Sequence, residues 1–147
     1  MKILSEIQKK LNAPKNQFNK FGGYKYRSCE DILSAVKTLL GDAILTITDD
    51  VVQIGDRFYI KATATIKHEN ETVSVSGFAR EPLSKKGMDE SQLTGSTSSY
   101  ARKYALNGLF CIDDTKDADT MDNSAQPTEA KTKVNDDNKE WLDLDRS

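Results

Sequence analysis

The spacing of apolar residues changes along the chain and separates helical from extended segments. Residues 2–11 place Ile3, Leu4, Ile7 and Leu11 at helical spacing, which predicts a short amphipathic helix. Asn12 and Pro14 are expected to end it, because proline cannot continue a helix. Residues 12–23 are polar apart from two phenylalanines and predict a loop. Residues 24–27 predict a short strand or extended piece.

A second helix is predicted after Ser28, which is a good N-cap residue. Glu30 and Asp31 follow in the first turn, where carboxylates interact favourably with the helix dipole. Apolar residues then recur at helical spacing as far as Leu40. Gly41 is expected to close this helix, since glycine favours the left-handed conformation that ends many helices.

From residue 43 to residue 80 the apolar spacing changes to a period of two, which is typical of strands. Residues 43–48 and 51–54 predict two short strands, and residues 72–80 predict a strand that returns after a turn at 68–70. The clearest strand is 57–67, whose alternation predicts one face on a core and one in water. The inward face is Phe58, Ile60, Ala62, Ala64 and Ile66, and the outward face is Arg57, Tyr59, Lys61, Thr63, Thr65 and Lys67.

Residues 81–91 predict a polar loop, and residues 92–109 predict a long helix. One narrow face of that helix carries small residues (Leu93, Thr97, Ala101, Ala105, Gly108), which suits close packing on a sheet. The fold class predicted is therefore α+β: N-terminal helices, then an antiparallel β-meander of three to four strands packed against a long C-terminal helix. Residues 1–112 form the predicted domain. Residues 113–147 are expected to be a flexible, disordered acidic tail with an apolar tip around Trp141.

Charge is divided unevenly between these two parts. The formal net charge is −2, but residues 1–112 carry 16 Lys and Arg against 12 Asp and Glu, and residues 113–147 carry 5 against 11. A mildly basic domain with an acidic tail points to nucleic-acid contact or to an interaction tail. No apolar run is long enough to cross a bilayer, and the charged N-terminus does not resemble a signal peptide, so a cytoplasmic location without membrane contact is expected.

Enzymatic chemistry finds little support in the residue pattern. His68 is the single histidine and falls in a predicted turn, which leaves no histidine-based triad. Two cysteines, Cys29 and Cys111, stand far apart, so neither a structural zinc site nor another metal site is predicted. The run from Gly95 to Ser99 fails the spacing of a phosphate-binding loop. We therefore predict no catalytic residues and no cofactor.

Cationic and aromatic residues are interleaved in several places, as in proteins that bind single strands. The groups are Tyr24, Lys25, Tyr26 and Arg27; Tyr100, Arg102, Lys103 and Tyr104; Arg57 and Lys61 on the outward strand face; and Lys85 and Lys86 in the loop. The ordinary alternative for each group is a solvated surface with tyrosines at the core margin. Pattern alone leaves the two interpretations equally supported.

Two sequence motifs resemble those of a known family and favour the single-strand-binding interpretation. The segment 92–106, which contains Tyr100-Ala101-Arg102-Lys103-Tyr104, continues into an apolar stretch and Asp113-Asp114. Together with Phe21-Gly22-Gly23-Tyr24-Lys25-Tyr26-Arg27-Ser28, it resembles the ERF (essential recombination function) family of phage single-strand annealing proteins. The resemblance covers roughly residues 1–120.

The resemblance implies a phage or prophage protein of DNA recombination and repair that binds single-stranded DNA. It further implies annealing of complementary strands without ATP, and assembly into rings or other homo-oligomers. A distant relation to eukaryotic RAD-type annealing proteins implies a curved sheet backed by a long helix. Carried over by motif, Arg102 and Lys103 are the first expected phosphate contacts, followed by residues 24–27. A single-strand-binding protein or an exonuclease is a further expected partner.

Two other functions stay open at the level of sequence. A metal-dependent nuclease would need clustered carboxylates, for which Asp113, Asp114, Asp117 and Asp119 are the candidates. The other is a protein–protein adaptor with no DNA role. Metal-dependent cleavage of DNA would favour the first, and absence of DNA binding would favour the second.

Overall fold

The computed structural model of the protein describes residues 1–83 and 87–112. Within them the elements, in chain order, are α1 (Lys2–Lys10), β1 (Gln17–Asn19), β2 (Tyr24–Tyr26), α2 (Cys29–Lys37), β3 (Ile44–Ile54), β4 (Arg57–His68), β5 (Glu71–Arg80) and α3 (Glu90–Phe110). The predicted α+β class, with N-terminal helices, a three-stranded meander and a long C-terminal helix, is confirmed. The described residues belong to one compact unit. The predicted acidic tail, 113–147, lies outside the described residues.

Helix α2 begins as its sequence predicts. The Ser28 Oγ accepts a hydrogen bond from the Asp31 amide (3.1 Å), and the Asp31 carboxylate accepts one from the Ser28 amide (2.8 Å). This reciprocal cap satisfies two amides that the first helical turn leaves without partners. The helix ends at Lys37 rather than near the predicted Gly41. Gly41 instead has a φ of 57° and turns the chain into β3.

The prediction of a loop over residues 12–23 was wrong in part, because β1 lies there and pairs with β2, which confirms the extended piece predicted at 24–27. Gln17 pairs with Tyr26, and Asn19 pairs with Tyr24. The strands are only three residues long, so the alternation that identifies a strand has no length over which to appear.

The second sheet has the order β3-β4-β5 with antiparallel neighbours. Where two short strands were predicted at 43–48 and 51–54, β3 is continuous from Ile44 to Ile54. Its ladder to β4 runs unbroken through Asp49, opposite Ala62, and Asp50, opposite Lys61. Aspartate disfavours strands intrinsically, but here the long partner strand supplies backbone hydrogen bonds that outweigh that preference.

The alternation predicted for β4 is confirmed over most of its length. Ala62, Ala64 and Ile66 are fully buried, and Ile60 is nearly so. Phe58 was predicted to face the core but is 47% exposed. It lies at the turn end of the β3–β4 hairpin, opposite Gln53, and is not part of the buried cluster.

Helix α3 packs on β4 and β5 through the small-residue face that its sequence predicts, with Thr97, Ala101 and Ala105 buried. It starts two residues earlier than predicted, at Glu90, because Asp89 and Gln92 form a second reciprocal cap. The approach is closest at Gly77 of β5. A Cβ there would lie 2.7 Å from the Ala101 carbonyl oxygen and closer still to the Ala105 amide nitrogen.

The N-terminal helices complete the core at the far end of α3. Ile7 of α1 and Ile32 and Val36 of α2 are buried in one cluster with the end of α3. The Gln8 side-chain amide of α1 also donates to the Leu109 carbonyl (2.9 Å). Among the helices described, none has both the length and the apolar content that crossing a bilayer requires.

Replacing Gly77 with alanine should destabilise the protein, because the added methyl would overlap backbone atoms of α3 that cannot rotate away. We expect the free energy of unfolding, measured by urea denaturation, to fall by about 1–3 kcal/mol or more.

Gly95→Ala is the matched control for that substitution. Gly95 is an exposed helical residue with no atom within 4 Å of an added Cβ. Alanine should there raise the free energy of unfolding by roughly 0.5–1 kcal/mol. Equal effects from the two substitutions would contradict the close packing of α3 on β5.

Candidate nucleic-acid interface

The outward side of α3 presents two tyrosines one helical turn apart. Tyr100 is 50% exposed and Tyr104 is 48% exposed. Their rings stack at a centroid distance of 6.5 Å, as residues four apart on a helix can. The burial of Ala101 and Ala105 on the sheet side fixes this outward orientation.

The two motifs that are far apart in sequence meet at one cleft. Tyr26 and Arg27 border it from the end of β2, and Tyr100 and Lys103 border it from α3. The Lys103 ammonium lies 5.6 Å from the centre of the Tyr26 ring, within the range of a cation–π interaction. The cleft has a volume of about 220 Å³. It is hereafter called the β2–α3 cleft.

The hairpin positions the remaining members of the first motif. Tyr24 lies beside Tyr26 with ring centres 6.1 Å apart, and its hydroxyl accepts a hydrogen bond from the Asn19 side-chain amide (3.1 Å). Arg27 donates from Nε to the Ala13 carbonyl (2.9 Å), which ties the chain before β1 to the chain after β2. Lys25 is exposed and points to the opposite side of the hairpin, where it pairs with Phe18.

The start of α2 forms one wall of the β2–α3 cleft. Cys29 and Glu30 border it there. Burial raises the pKa of the Cys29 thiol, and the neighbouring Glu30 carboxylate raises it further. A thiol with a raised pKa is a weak nucleophile at neutral pH. Cys29 is therefore suited to packing rather than to covalent chemistry.

Arg102, the first expected phosphate contact, is engaged within the protein. Its guanidinium donates from Nε (3.1 Å) and Nη2 (3.1 Å) to the carboxylate of Asp49, which also accepts from the Ser98 hydroxyl. Partial burial works to raise the pKa of Asp49, but the hydrogen bonds from Arg102 and Ser98 outweigh it and lower that pKa. Asp49 lies on the helix side of β3, so this contact joins α3 to the sheet.

Arg57 and Lys61 lie away from the β2–α3 cleft. Both alternate with the buried residues of β4, so they belong to the sheet face that turns away from α3. The Lys61 ammonium lies 5.9 Å from the centre of the Phe78 ring. Arg57 is partly buried and donates to the Glu81 carbonyl (3.5 Å). Lys85 and Lys86 lie outside the described residues.

The sequence reasoning missed a second cleft, between the edge of β5 and α3. Phe78, Arg80 and Pro82 border it on one side, and Leu93, Tyr100 and Tyr104 border it on the other. Its volume is about 400 Å³, and Tyr100 contributes to both clefts. The alternation of β5 places Phe78 and Arg80 outward and could have identified them. The helix that forms the opposite wall could not be placed from sequence.

Within residues 1–83 and 87–112, no three side chains of the His, Cys, Asp and Glu types are grouped as a metal ion would require. His68 pairs with Asp42 at 2.9 Å, on the surface. The carboxylates on which a nuclease would depend, from Asp113 onwards, lie outside the described residues. What the β2–α3 cleft brings together is cationic and aromatic side chains, with Lys103, Tyr26 and Tyr100 among them.

Comparison with known proteins adds a family match. The family model described as the ERF superfamily matches residues 1–143. A protein of Salmonella phage P22, named Essential recombination function protein, is 62% identical over 130 residues, which are 88% of this chain and 63% of that protein. The chain thus spans less than two thirds of the length of this relative. No solved structure matches.

Asp49→Asn should weaken the tie between α3 and β3. We expect the free energy of unfolding at pH 7 to fall by about 1 kcal/mol, a value reduced for solvent screening because the Arg102 side chain is 41% exposed. Urea denaturation measures it. Asp50→Asn, on the opposite sheet face, is the control and should change it little.

The effect of Asp49→Asn should also depend on pH. The folded-state pKa of Asp49 lies below its ordinary value of 3.8, so its contribution is fully present above pH 3.8 and is lost as pH falls through the folded-state pKa. The difference in free energy of unfolding between the wild type and Asp49→Asn should therefore become smaller below pH 3.8. A difference that stays constant down to pH 2 would contradict the ion pair.

Proposed function

The chain belongs to the ERF superfamily, and from this premise and the β2–α3 cleft we propose that it binds single-stranded DNA and anneals complementary strands during recombination, without ATP and without a catalytic step. The observation that carries the proposal is the meeting of Tyr26 and Arg27 with Tyr100 and Lys103 at one cleft. Aromatic faces accept bases and cations accept phosphates.

The charges and rings around the cleft suit a flexible anionic polymer better than a folded acidic protein. Lys103 stands over the Tyr26 ring, so a base stacked near Tyr26 would bring its phosphate close to an ammonium group. Tyr100 borders both clefts, so its ring could stack on a second base where the DNA strand passes from one cleft to the other. Stacking of this kind accepts any base.

Annealing requires that bound bases remain able to pair. Side chains that stack on the faces of the bases or neutralise phosphates leave the Watson–Crick edges of the bases free. Pairing between two bound strands would then supply the driving free energy, and no bond in a nucleotide triphosphate needs to break. This is the reason that we propose a non-enzymatic function.

Assembly into a homo-oligomer is part of the proposal, since one cleft holds only a short stretch of one strand. The described sheet has the order β3-β4-β5, so β3 and β5 both present an open edge. Open edges expose unpaired backbone groups that can pair with another chain. A single-strand-binding protein or an exonuclease is the further class of partner that a recombination role would involve.

Lys103→Ala should weaken binding to a mixed-sequence oligonucleotide, measured by fluorescence anisotropy. If Lys103 contacts a phosphate, the slope of log affinity against log salt should become shallower by about 0.7.

Tyr26→Ala should weaken binding by about 1–3 kcal/mol for the lost stacking, with little change in slope. Lys37→Ala, at the other end of α2, is the control. Unchanged affinity in both cleft variants would contradict the proposed site.

The wild-type protein should accelerate the pairing of two complementary oligonucleotides in the absence of ATP and of divalent metal. A fluorescence-transfer assay with labelled strands measures the rate, and Tyr26→Ala should lower it. Strand cleavage that depends on added Mg²⁺ would support a nuclease instead. Absence of any binding would support a protein adaptor.

A further inference from the structure

The β1–β2 hairpin exposes two phenylalanine rings, Phe18 on the face that turns away from Tyr24 and Tyr26, and Phe21 at the tip. Phe21, at the tip, is fully exposed, and Phe18, opposite Lys25, is 58% exposed. Neither belongs to the buried core cluster. Burial of large apolar rings is favourable, so two exposed phenylalanines on one short hairpin are candidates for a contact surface.

The turn that presents Phe21 is built by specific contacts. The Asn19 side-chain oxygen accepts hydrogen bonds from the amides of Phe21 (2.9 Å) and Gly22 (3.1 Å). The Gly23 amide donates to the Asn19 carbonyl (2.9 Å), and Gly23 has a φ of 65°, which favours glycine. A Cβ on Gly22 would overlap the Tyr24 ring. These contacts stabilise the turn without the help of a ligand.

The charge around the rings indicates what they contact. Residues 12–29 contain four cations and no aspartate or glutamate. Lys20 precedes Phe21 directly, and Lys25 is the cross-strand partner of Phe18. Each exposed phenylalanine therefore has a lysine as its direct neighbour, either along the chain or across the hairpin. A ligand that matches this surface carries flat aromatic groups and anionic groups at short, regular spacing, as single-stranded nucleic acid does.

We propose that Phe21, supported by Phe18, stacks on bases of single-stranded DNA that continues from the β2–α3 cleft along the hairpin, with Lys20 and Lys25 on the neighbouring phosphates. The inference rests on the proposed function and extends it. Tyr26, on one side of the hairpin, lies in the cleft, and Phe18 and Phe21 lie on its other side and tip. Both faces of the hairpin then contact DNA, and the Phe21 ring at its tip stacks against a base.

The first test compares two ligands of equal charge. Phe21→Ala in the full chain should weaken binding to an oligothymidylate by about five- to a hundredfold, as expected for loss of one stacked base. Binding to an abasic oligonucleotide of the same length should not change, because it offers phosphates without bases. The control is Val51→Ala, which removes an exposed apolar side chain from β3. Phe21→Tyr should restore the affinity.

The second test places a fluorophore at the tip. Phe21→Trp, combined with Trp141→Phe so that the new indole is the single one, should lose fluorescence on addition of oligothymidylate and not of the abasic strand. Quenching should saturate at the concentration at which anisotropy saturates.

The outcomes separate this inference from the proposed function. If the wild type binds no single-stranded DNA, both are wrong. If it binds, but Phe21→Ala binds equally and the tip indole is not quenched, the hairpin inference alone is wrong. The inference is also overturned if Phe21→Ala reduces the sedimentation size of the DNA-free protein, since the rings then join copies of this chain.

Discussion

The backbone contact between α3 and β5 at Gly77 is the constraint on which the rest of the described structure depends. A helix can approach a sheet this closely only where side chains are small on both sides, and Ala62, Ala64, Ala101 and Ala105 are all fully buried there. Packing at such short range gains dispersion energy over many atom pairs and tolerates little displacement. The sheet side of α3 is thereby determined, and so is the side that faces outward.

A second contact sets the position of α3 relative to β3. Asp49 is an acidic residue on the helix side of a strand, and Arg102 and Ser98 from successive turns of α3 satisfy it. Helix α3 is therefore held by hydrogen bonds to Asp49 of β3 and by close backbone packing against Gly77 of β5. Lys103, next to Arg102, is consequently directed to β2, where it meets the Tyr26 ring. The cleft is a consequence of how the helix is anchored.

Local patterns predicted the elements well where a physical rule acts over neighbouring residues. The cap at Ser28, the alternation of β4 and the small-residue face of α3 are of this kind. The patterns failed where a distant partner decides. Nothing near Asp49 in sequence indicates that Arg102 will satisfy it. The short β1–β2 hairpin depends on the Asn19 contacts with the tip, and Phe58 is exposed because the core ends before the strand does.

Hydrogen bonds made within the protein are one reason that the cleft suits a ligand without a fixed sequence. Ser28, which borders the cleft, is bonded to Asp31, and Arg102, which precedes Lys103 on α3, is bonded to Asp49. Groups that are satisfied internally gain little by exchanging a protein partner for a base edge. The cleft then offers a ligand the Tyr100 ring and the Lys103 ammonium beside the Tyr26 ring, which suit a nucleotide without distinguishing one base from another. On the proposed function this is an advantage, because a protein that read base edges would compete with the pairing it has to promote.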